Sequence, residues 1–299
     1  MKILLTGVSG FIGGHLFSSL VETFGQDSVV ALTSKKLSYV DCVVYKSVDH
    51  FGLDKNKFDD ITNIIHAGAF TPKDSQQANS INLCNGNIEY TKELLSFSYS
   101  SLVKFINISS LDIYRNKDAP ISEESEIKPI SLYGYSKLYC EEMVKHFAIQ
   151  KNIEFINLRL GHVYGPGEEK YKKVIPVTIQ NILEGKTLEL WGDGSDLRSF
   201  IFIKDVVRTI VNALTSDAKN IDINVVSGSP ISIKDILDKV IEISGKKVEI
   251  NQRVSDYQKR DLVFDNKVLL STVLEKETDL ITGLKAEYEY MKYKYENNI

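Results

Sequence analysis

The chain is poor in cysteine: its 299 residues include only Cys42, Cys84 and Cys140, which are widely spaced and odd in number. That pattern predicts neither a disulfide framework nor a metal site. Long runs of lysine or arginine are also missing, and the formal net charge is −4 at pH 7. This charge balance argues against nucleic acid or a membrane surface as the main partner.

Apolar runs of membrane-spanning length are absent as well, and Met1 and Lys2 lead directly into the first predicted strand. We therefore expect neither a signal peptide nor a membrane segment. Together with the sparse cysteines, this predicts a cytoplasmic protein. The composition, 43% apolar and 25% charged, is that of a soluble chain able to bury a large core in one or two domains.

Apolar, β-rich runs alternate with stretches of helical periodicity along the first half of the chain. The predicted strands are 2–6, 28–32, 62–67, 103–108 and 154–158, and the predicted helices lie near 13–23, 85–99 and 134–150. This alternation is typical of an α/β protein with a parallel, doubly wound sheet of the Rossmann type.

Three glycines follow the first apolar run in the pattern G-x-x-G-x-x-G, at Gly7, Gly10 and Gly13. A helical stretch begins directly after them. In such a unit the first glycine permits a tight turn, the second lets the backbone approach a pyrophosphate, and the third lets the helix pack on the strand. Because a helix N-terminus also favours an anion, the pattern predicts a dinucleotide phosphate site.

A tyrosine and a lysine, Tyr133 and Lys137, stand four residues apart at the start of another helical stretch. At that spacing both side chains project from one face of the helix. A free phenol titrates near pH ~10, and a nearby ammonium stabilises the phenolate and lowers its pKa. The pair is therefore suited to proton transfer, although a surface helix can carry the same spacing by chance.

Further segments of the chain resemble one family of enzymes. They read S-S-L-D-I-Y at 109–114, R-L-G-H-V-Y-G-P-G at 159–167 and R-S-F-I-F-I-K-D-V at 198–206. With the glycine turn and the Y-x-x-x-K pair, they resemble the NAD(P)-dependent epimerase/dehydratase family of nucleotide-sugar enzymes, an extended branch of the short-chain dehydrogenase/reductase superfamily. The resemblance covers nearly the whole chain.

The resemblance implies a catalytic group of Ser110, Tyr133 and Lys137. Tyr133 would protonate the sugar C4 oxygen as hydride arrives from the nicotinamide, and Ser110 would orient that oxygen. Lys137 would lower the pKa of Tyr133 and hold the nicotinamide ribose. The implied partner is a nucleotide-diphosphate sugar.

The binding residues implied by the same resemblance fall into two groups, with no metal ligand. The cofactor group is Gly7, Ser9, Gly10, Phe11, Ile12, Gly13, Thr33, Ser34, Lys35, Lys36, His66, Ala67, Gly68 and Asn87, with Tyr133 and Lys137. The substrate group is Ser110, Asp112, His162, Arg198 and Arg260. Because His162 replaces the family's usual asparagine, it puts the contacts near the diphosphate in doubt.

The end of the second strand bears on the cofactor. An NAD-selective site places an acid there for the ribose 2′-hydroxyl, whereas a 2′-phosphate calls for cations. Thr33 stands at the position of the acid, and Lys35 and Lys36 follow. The segment predicts NADP(H) over NAD(H), unless the two lysines belong to an ordinary exposed loop.

That preference favours NADPH-dependent reduction of a nucleotide-linked 4-keto-6-deoxyhexose at C4. The alternative is a 4-epimerase that holds NAD tightly. A 4,6-dehydratase needs two carboxyl groups after the catalytic Ser/Thr, and here Leu111 occupies one of those positions while Asp112 keeps the other. A non-catalytic dinucleotide sensor has no need of the Ser110, Tyr133 and Lys137 group.

The resemblance also predicts the domain organisation. Residues 1–165 with about 199–228 would form the dinucleotide-binding domain, including a late strand at 222–226. About 166–198 with 229–299 would form a smaller C-terminal α/β lobe for the nucleotide sugar. Its predicted elements are helices near 174–184, 232–243 and 279–294 and a strand at 247–250.

The resemblance further implies a homodimer, formed through the helices near 85–99 and 134–150. Tyr139, Met143 and Phe147 are the candidate interface residues, although core packing would explain them equally well.

Overall fold

The computed structural model describes residues 1–38, 40–115, 120–254 and 259–298. The strands are β1 (Ile3–Thr6), β2 (Val29–Thr33), β3 (Cys42–Val44), β4 (Asn63–His66), β5 (Lys104–Ser110), β6 (Glu154–Leu160), β7 (His162–Tyr164), β8 (Leu188–Trp191), β9 (Leu197–Arg198), β10 (Phe200–Phe202), β11 (Ile221–Val225), β12 (Ile231–Ser232) and β13 (Ile250–Arg253). The α-helices are α1 (Phe11–Phe24), α2 (Ser75–Ala78), α3 (Ile81–Leu95), α4 (Leu132–Lys151), α5 (Val174–Leu183), α6 (Ile203–Thr215), α7 (Ile233–Ser244), α8 (Lys267–Thr272) and α9 (Leu280–Glu296).

Seven of these strands form one parallel sheet in the order β11-β6-β5-β4-β1-β2-β3. The chain enters at β1, winds outward to β3, returns to the far side of β1 with β4, and winds outward again to β11. The strand order therefore reverses between β1 and β4. A crevice forms at the carboxyl ends of the strands at such a point, and this doubly wound sheet confirms the predicted fold class.

The sheet separates two apolar cores, because successive side chains of a strand point to opposite faces. Ile3 and Leu5 of β1 belong to the core covered by α1 and α6, whereas Leu4 between them belongs to the core covered by α3 and α4. All seven residues of β5 are buried. Strand β5 is therefore buried on both faces of the sheet, although Lys104, Asn107, Ser109 and Ser110 interrupt its apolar residues.

The C-terminal elements pack together beside the sheet. Helices α5, α7 and α9 contact one another, and β13 pairs in parallel with β8. The three helices match the predicted helices to within two residues at each end. The predicted strand at 247–250 is wrong in position: the strand is β13 (Ile250–Arg253), because its register is set by pairing with β8, which the sequence analysis did not identify.

The helix expected near 85–99 begins earlier and ends earlier, as α3. The helix ends at Leu95, and the Ser96 N–H closes its last turn by donating to the Glu93 carbonyl. The Ser98 N–H then donates to the Lys55 carbonyl outside the helix, at 2.7 Å. Within the described residues, no helix combines the length and the apolar content needed to cross a membrane.

Candidate active site

The loop between β1 and α1 has the backbone geometry of an anion cradle. Gly7 adopts φ +78°, and a Cβ there would stand 2.7 Å from the Ala67 carbonyl carbon and the Gly68 nitrogen, so only glycine fits. Gly10 N–H donates to the Gly7 carbonyl at 2.9 Å, and α1 begins at the next residue with no acidic side chain in its first turn. The unpaired N–H groups at this helix start can receive a phosphate.

This loop forms one wall of a cavity of about 400 Å³ at the carboxyl ends of the central strands. The predicted site residues that line it are Gly7, Gly10, Phe11, Ile12, Gly13, Ala67, Ser110, Asp112, Tyr133, Lys137, His162 and Arg260. The structure thus brings the glycine loop, the expected catalytic group and part of the expected substrate group into one space, at the point where the strand order reverses.

Ser110, Tyr133 and Lys137 reach the cavity from two elements. Ser110 is the last residue of β5, whereas Tyr133 and Lys137 lie one turn apart on α4. The start of α4 is fixed by Ser131, whose Oγ accepts from Gly134 N–H at 3.1 Å. Gly134 is needed there, because a Cβ would stand 2.4 Å from the Asp112 carbonyl oxygen.

The charges around Tyr133 differ from the expectation. Burial raises the pKa of the Tyr133 phenol, the nearby Asp112 charge raises it further, and the Ser110 and Thr71 hydroxyls oppose both effects. Lys137 Nζ instead donates to the Ile108 carbonyl at 2.7 Å. In this structure the pKa of Tyr133 is raised rather than lowered, so Tyr133 carries its proton at neutral pH.

Lys137 itself is buried, and burial lowers the pKa of its ammonium, while the charges of Cys140 and Glu141 oppose that shift. Glu141 lies one turn further along α4 and forms a buried ion pair with Arg159 of β6, with 2.9 Å between Oε2 and Nη2. The sequence analysis did not identify this pair, because nothing in the sequence relates a residue of α4 to one of β6.

His66 does not line the cavity, which corrects its expected contact with the cofactor. Both ring nitrogens are satisfied inside the protein, by Thr6 Oγ1 at 2.9 Å and Thr91 Oγ1 at 3.0 Å. Burial, with a smaller contribution from the Lys137 charge, lowers the pKa of His66 to about 3, so the ring is neutral. Because Thr6 Oγ1 also accepts from Gly68 N–H at 2.8 Å, His66 supports the loop that follows β4 rather than the ligand itself.

Asn87 is a second supporting residue outside the cavity. Its Oδ1 accepts from Phe70 N–H at 2.7 Å, and its Nδ2 donates to Ser136 Oγ at 3.2 Å. Asn87 therefore joins the loop after β4 to helix α4. Gly68 and Ser9 do not line the cavity either. The backbone of Gly68 packs against the Tyr90 ring, and a Cβ added at Gly68 would stand 2.4 Å from Tyr90 Cε1.

The segment expected to select the cofactor lies at the end of β2, outside the cavity lining. Thr33 is buried, Ser34, Lys35 and Lys36 are exposed, and no carboxylate stands among these four residues.

The expected substrate residues separate into two groups. His162 and Arg260 line the cavity, and burial, followed by the charge of Arg198, lowers the pKa of His162 to about 4. Arg198 lies outside the lining, where its Nη1 donates to the Leu197 carbonyl at 2.8 Å and to the Arg260 carbonyl. Arg198 therefore orders the segment that carries Arg260.

The residues of the cavity wall that were not identified from the sequence include Thr71, Tyr171 and Lys173. Lys173 is the residue before α5, and its Nζ donates to the Val163 carbonyl at 2.9 Å. All three lie in connecting segments, where no periodicity indicates the path of the chain.

The glycine loop, the parallel sheet with its reversal of strand order, and the shared cavity define an α/β protein of the dinucleotide-binding class. A model of the NAD dependent epimerase/dehydratase family matches residues 3–226, and the chain belongs to that family.

Two relatives are similar to the chain over most of their own length. The chain is 26% identical to a putative UDP-glucose 4-epimerase of Methanocaldococcus jannaschii, covering 97% of this chain and 98% of the relative. It is 27% identical to an ADP-L-glycero-D-manno-heptose-6-epimerase of Cupriavidus pinatubonensis, over 81% of this chain and 77% of the relative. A solved structure of a UDP-glucuronic acid 4-epimerase variant from Bacillus cereus, in complex with UDP-4-deoxy-4-fluoro-glucuronic acid and NAD, is 27% identical and covers 98% of this chain and 99% of its own, with a TM-score of 0.85.

Proposed function

We propose that the protein is a nucleotide-sugar 4-epimerase that holds its NAD(P) cofactor between turnovers. The observation that carries the proposal is that Ser110, Tyr133 and Lys137 line the same cavity as the glycine loop. The similarity to 4-epimerases along nearly the full length of both chains supports it. An oxidation and a reduction at one carbon require only this proton-transfer group beside a dinucleotide.

The glycine loop fits a dinucleotide, because a Cβ at Gly7 would fill the space beside Ala67 and the N–H groups at the start of α1 face the cavity. A bound NAD(P) supplies hydride transfer to and from C4 of the sugar. Ser110 positions the C4 oxygen with its hydroxyl, and Tyr133 exchanges the proton of that oxygen. For Tyr133 to release its proton, the ammonium of Lys137 has to act on the phenol rather than on the Ile108 carbonyl.

The second candidate is NADPH-dependent reduction of a 4-keto sugar nucleotide. One observation favours it: the end of β2 carries Thr33, Lys35 and Lys36 in place of an acid. A reductase has to release its oxidised cofactor after each turnover, whereas an epimerase regenerates it in place. The state of the cofactor in purified protein therefore separates the two functions.

The deciding experiment is to denature freshly purified protein, identify any released dinucleotide, and incubate native protein with UDP-glucose without added cofactor. Release of stoichiometric NAD or NADP and formation of UDP-galactose support the epimerase. An empty site with a strong preference for NADPH over NADH supports the reductase. The Tyr133→Phe variant, treated identically, controls for contaminating activity.

We also propose that the smaller C-terminal group of elements, built around α5, α7 and α9, binds the nucleotide sugar. A further proposal is that the chain forms a homodimer through α3 and α4. Exposed apolar side chains on these two helices support the interface: Ile81 is 66%, Tyr139 56% and Ile149 65% exposed. Phe147 is excluded from it, because its ring packs on Tyr99 in the core. Sedimentation of the wild type and of Tyr139→Glu tests the dimer, with a monomeric variant as the expected result.

A further inference from the structure

Asp112 occupies a position in the cavity that the proposed proton transfer does not use. It lies two residues after Ser110, in the short 3-10 helix Leu111–Ile113. Ser110 Oγ donates to Asp112 Oδ2 at 3.2 Å, and it accepts from the backbone N–H of Asp112, also at 3.2 Å. A carboxylate is therefore held one hydrogen bond away from the hydroxyl that would orient the reacting oxygen.

Asp112 and Tyr133 line the same cavity, and after burial the charge of Asp112 is the next contribution that raises the pKa of the phenol. Solvent reaches Asp112 through the cavity, although the surrounding walls remove enough water to raise the pKa of its carboxyl. Ser110 and Tyr133 would contact the oxygen on C4 of the sugar. With C4 at Ser110, the substituents on C3 and C5, which include C6, would lie close to Asp112.

A second carboxylate at that place would meet a like charge in a cleft with little water, where the repulsion is strong. The cations of the cavity wall already have partners. Lys137 Nζ donates to the Ile108 carbonyl, and Lys173 Nζ lies 3.2 Å from Glu168 Oε2. Burial raises the pKa of Asp112, and the charge of Arg260 opposes that shift, so Arg260 favours the ionised carboxylate of Asp112.

We propose that Asp112 makes the sugar subsite selective against nucleotide sugars with a carboxylate at C6, so that the substrate is a neutral or amino hexose. The inference rests on the proposed function, because it places a sugar at Ser110 and Tyr133. The fold alone does not exclude uronic acids, since the similar Bacillus cereus structure holds a UDP-linked glucuronic acid derivative. In this chain, the local charge of Asp112 sets the selectivity.

The test compares the dissociation constants of UDP-glucose and UDP-glucuronic acid for the NAD-loaded protein, measured by calorimetry at neutral pH. UDP and dTDP alone are titrated first. The nucleotide that binds is then used for both the glucose and the glucuronic acid compound. We expect the glucuronic acid compound to bind at least tenfold more weakly than the glucose compound. In Asp112→Asn, where the amide keeps an acceptor for Ser110, the ratio should shrink about tenfold, chiefly through tighter binding of the glucuronic acid compound.

Asp217→Asn is the matched control, because it removes one negative charge from an exposed residue between α6 and β11, at the opposite end of the strands. Its ratio should equal that of the wild type. Equal affinities for the two sugars, or an unchanged ratio in Asp112→Asn with an unchanged melting temperature, would overturn the inference alone. Failure of every nucleotide and nucleotide sugar to bind would overturn the proposed function as well.

Discussion

Arg159 of β6 and Glu141 of α4 form an ion pair in which each side chain is only 2% exposed. Arg159 Nε lies 3.1 Å from Glu141 Oε1, and Nη2 lies 2.9 Å from Oε2, so the contact is bidentate. The remaining nitrogen, Nη1, donates to Tyr114 Oη at 2.6 Å, and Tyr114 lines the cavity. The pair therefore connects the sheet, the helix that carries Tyr133 and Lys137, and the cavity wall.

Glu141→Gln should destabilise the fold by about 3–5 kcal/mol, because it leaves Arg159 without its buried counter-charge. Urea unfolding measures the loss. Asp222→Asn is the comparison, since Asp222 also contacts Arg159, at 2.7 Å, but its side chain is 38% exposed. We expect that variant to lose about 1 kcal/mol or less. Equal losses in both variants would show that Glu141 is not the principal partner of Arg159.

Tyr133→Phe should reduce turnover by about 10²–10⁴-fold, because it removes the group that exchanges a proton with the sugar oxygen. The phenyl ring still fills the buried site, so the dissociation constant of the dinucleotide should stay within about twofold of the wild type. Tyr135→Phe is the matched control, since Tyr135 lies two residues further on and is 54% exposed. Activity in Tyr133→Phe comparable to that control would contradict the catalytic assignment.

Lys35→Ala with Lys36→Ala should weaken binding of NADPH about tenfold and leave NADH within about twofold, because only the former carries a phosphate on the adenosine ribose. Fluorescence titration of the emptied protein measures both affinities. Lys57→Ala, which removes an exposed lysine elsewhere, serves as the control. Unchanged affinity for NADPH in the double variant would mean that the two lysines belong to an ordinary surface loop.

The features predicted correctly from the sequence are those set by neighbours along the chain. The strand, glycine turn and helix around Gly7 are contiguous, and the four-residue spacing of Tyr133 and Lys137 fixes their common helix face. Strand β3 was missed because its apolar run, Cys42–Val44, is only three residues long. Its place at the sheet edge comes from pairing with β2.

The role of His66 was predicted less well, because its two partners come from other elements. A histidine at the end of a strand beside a glycine loop resembles a ligand contact in the sequence. The structure shows that Thr6 and Thr91 take both ring nitrogens. Packing between segments that are distant in sequence decides which face of a strand contacts a helix. It also decides which polar groups that helix places beside the strand.

Glu287 of α9 is another such case, because in the sequence it belongs to a polar, Tyr- and Lys-rich end, yet it is only 1% exposed. Burial, and then the charge of the equally buried Glu168, raise the pKa of Glu287 to about 9 from its ordinary 4.5. A proton on Glu287 removes the repulsion between these two carboxyl groups. The folded protein thus retains a proton that the unfolded chain releases above pH 4.5 or so.

The contribution of Glu287 to stability should therefore be greatest below this window and fall as the pH rises from about 4.5 towards about 9, by at most about 1.4 kcal/mol per pH unit. Glu287→Gln keeps a neutral hydrogen-bonding group beside Glu168, so it should flatten this slope and unfold at higher urea concentration than the wild type at pH 8. Urea unfolding at several pH values gives the two curves. Glu289→Gln alters an exposed residue of the same helix and should reproduce the wild-type slope. Parallel curves for Glu287→Gln and the wild type would mean that Glu287 is ionised in the folded protein, with Lys173 as the counter-charge for both carboxylates.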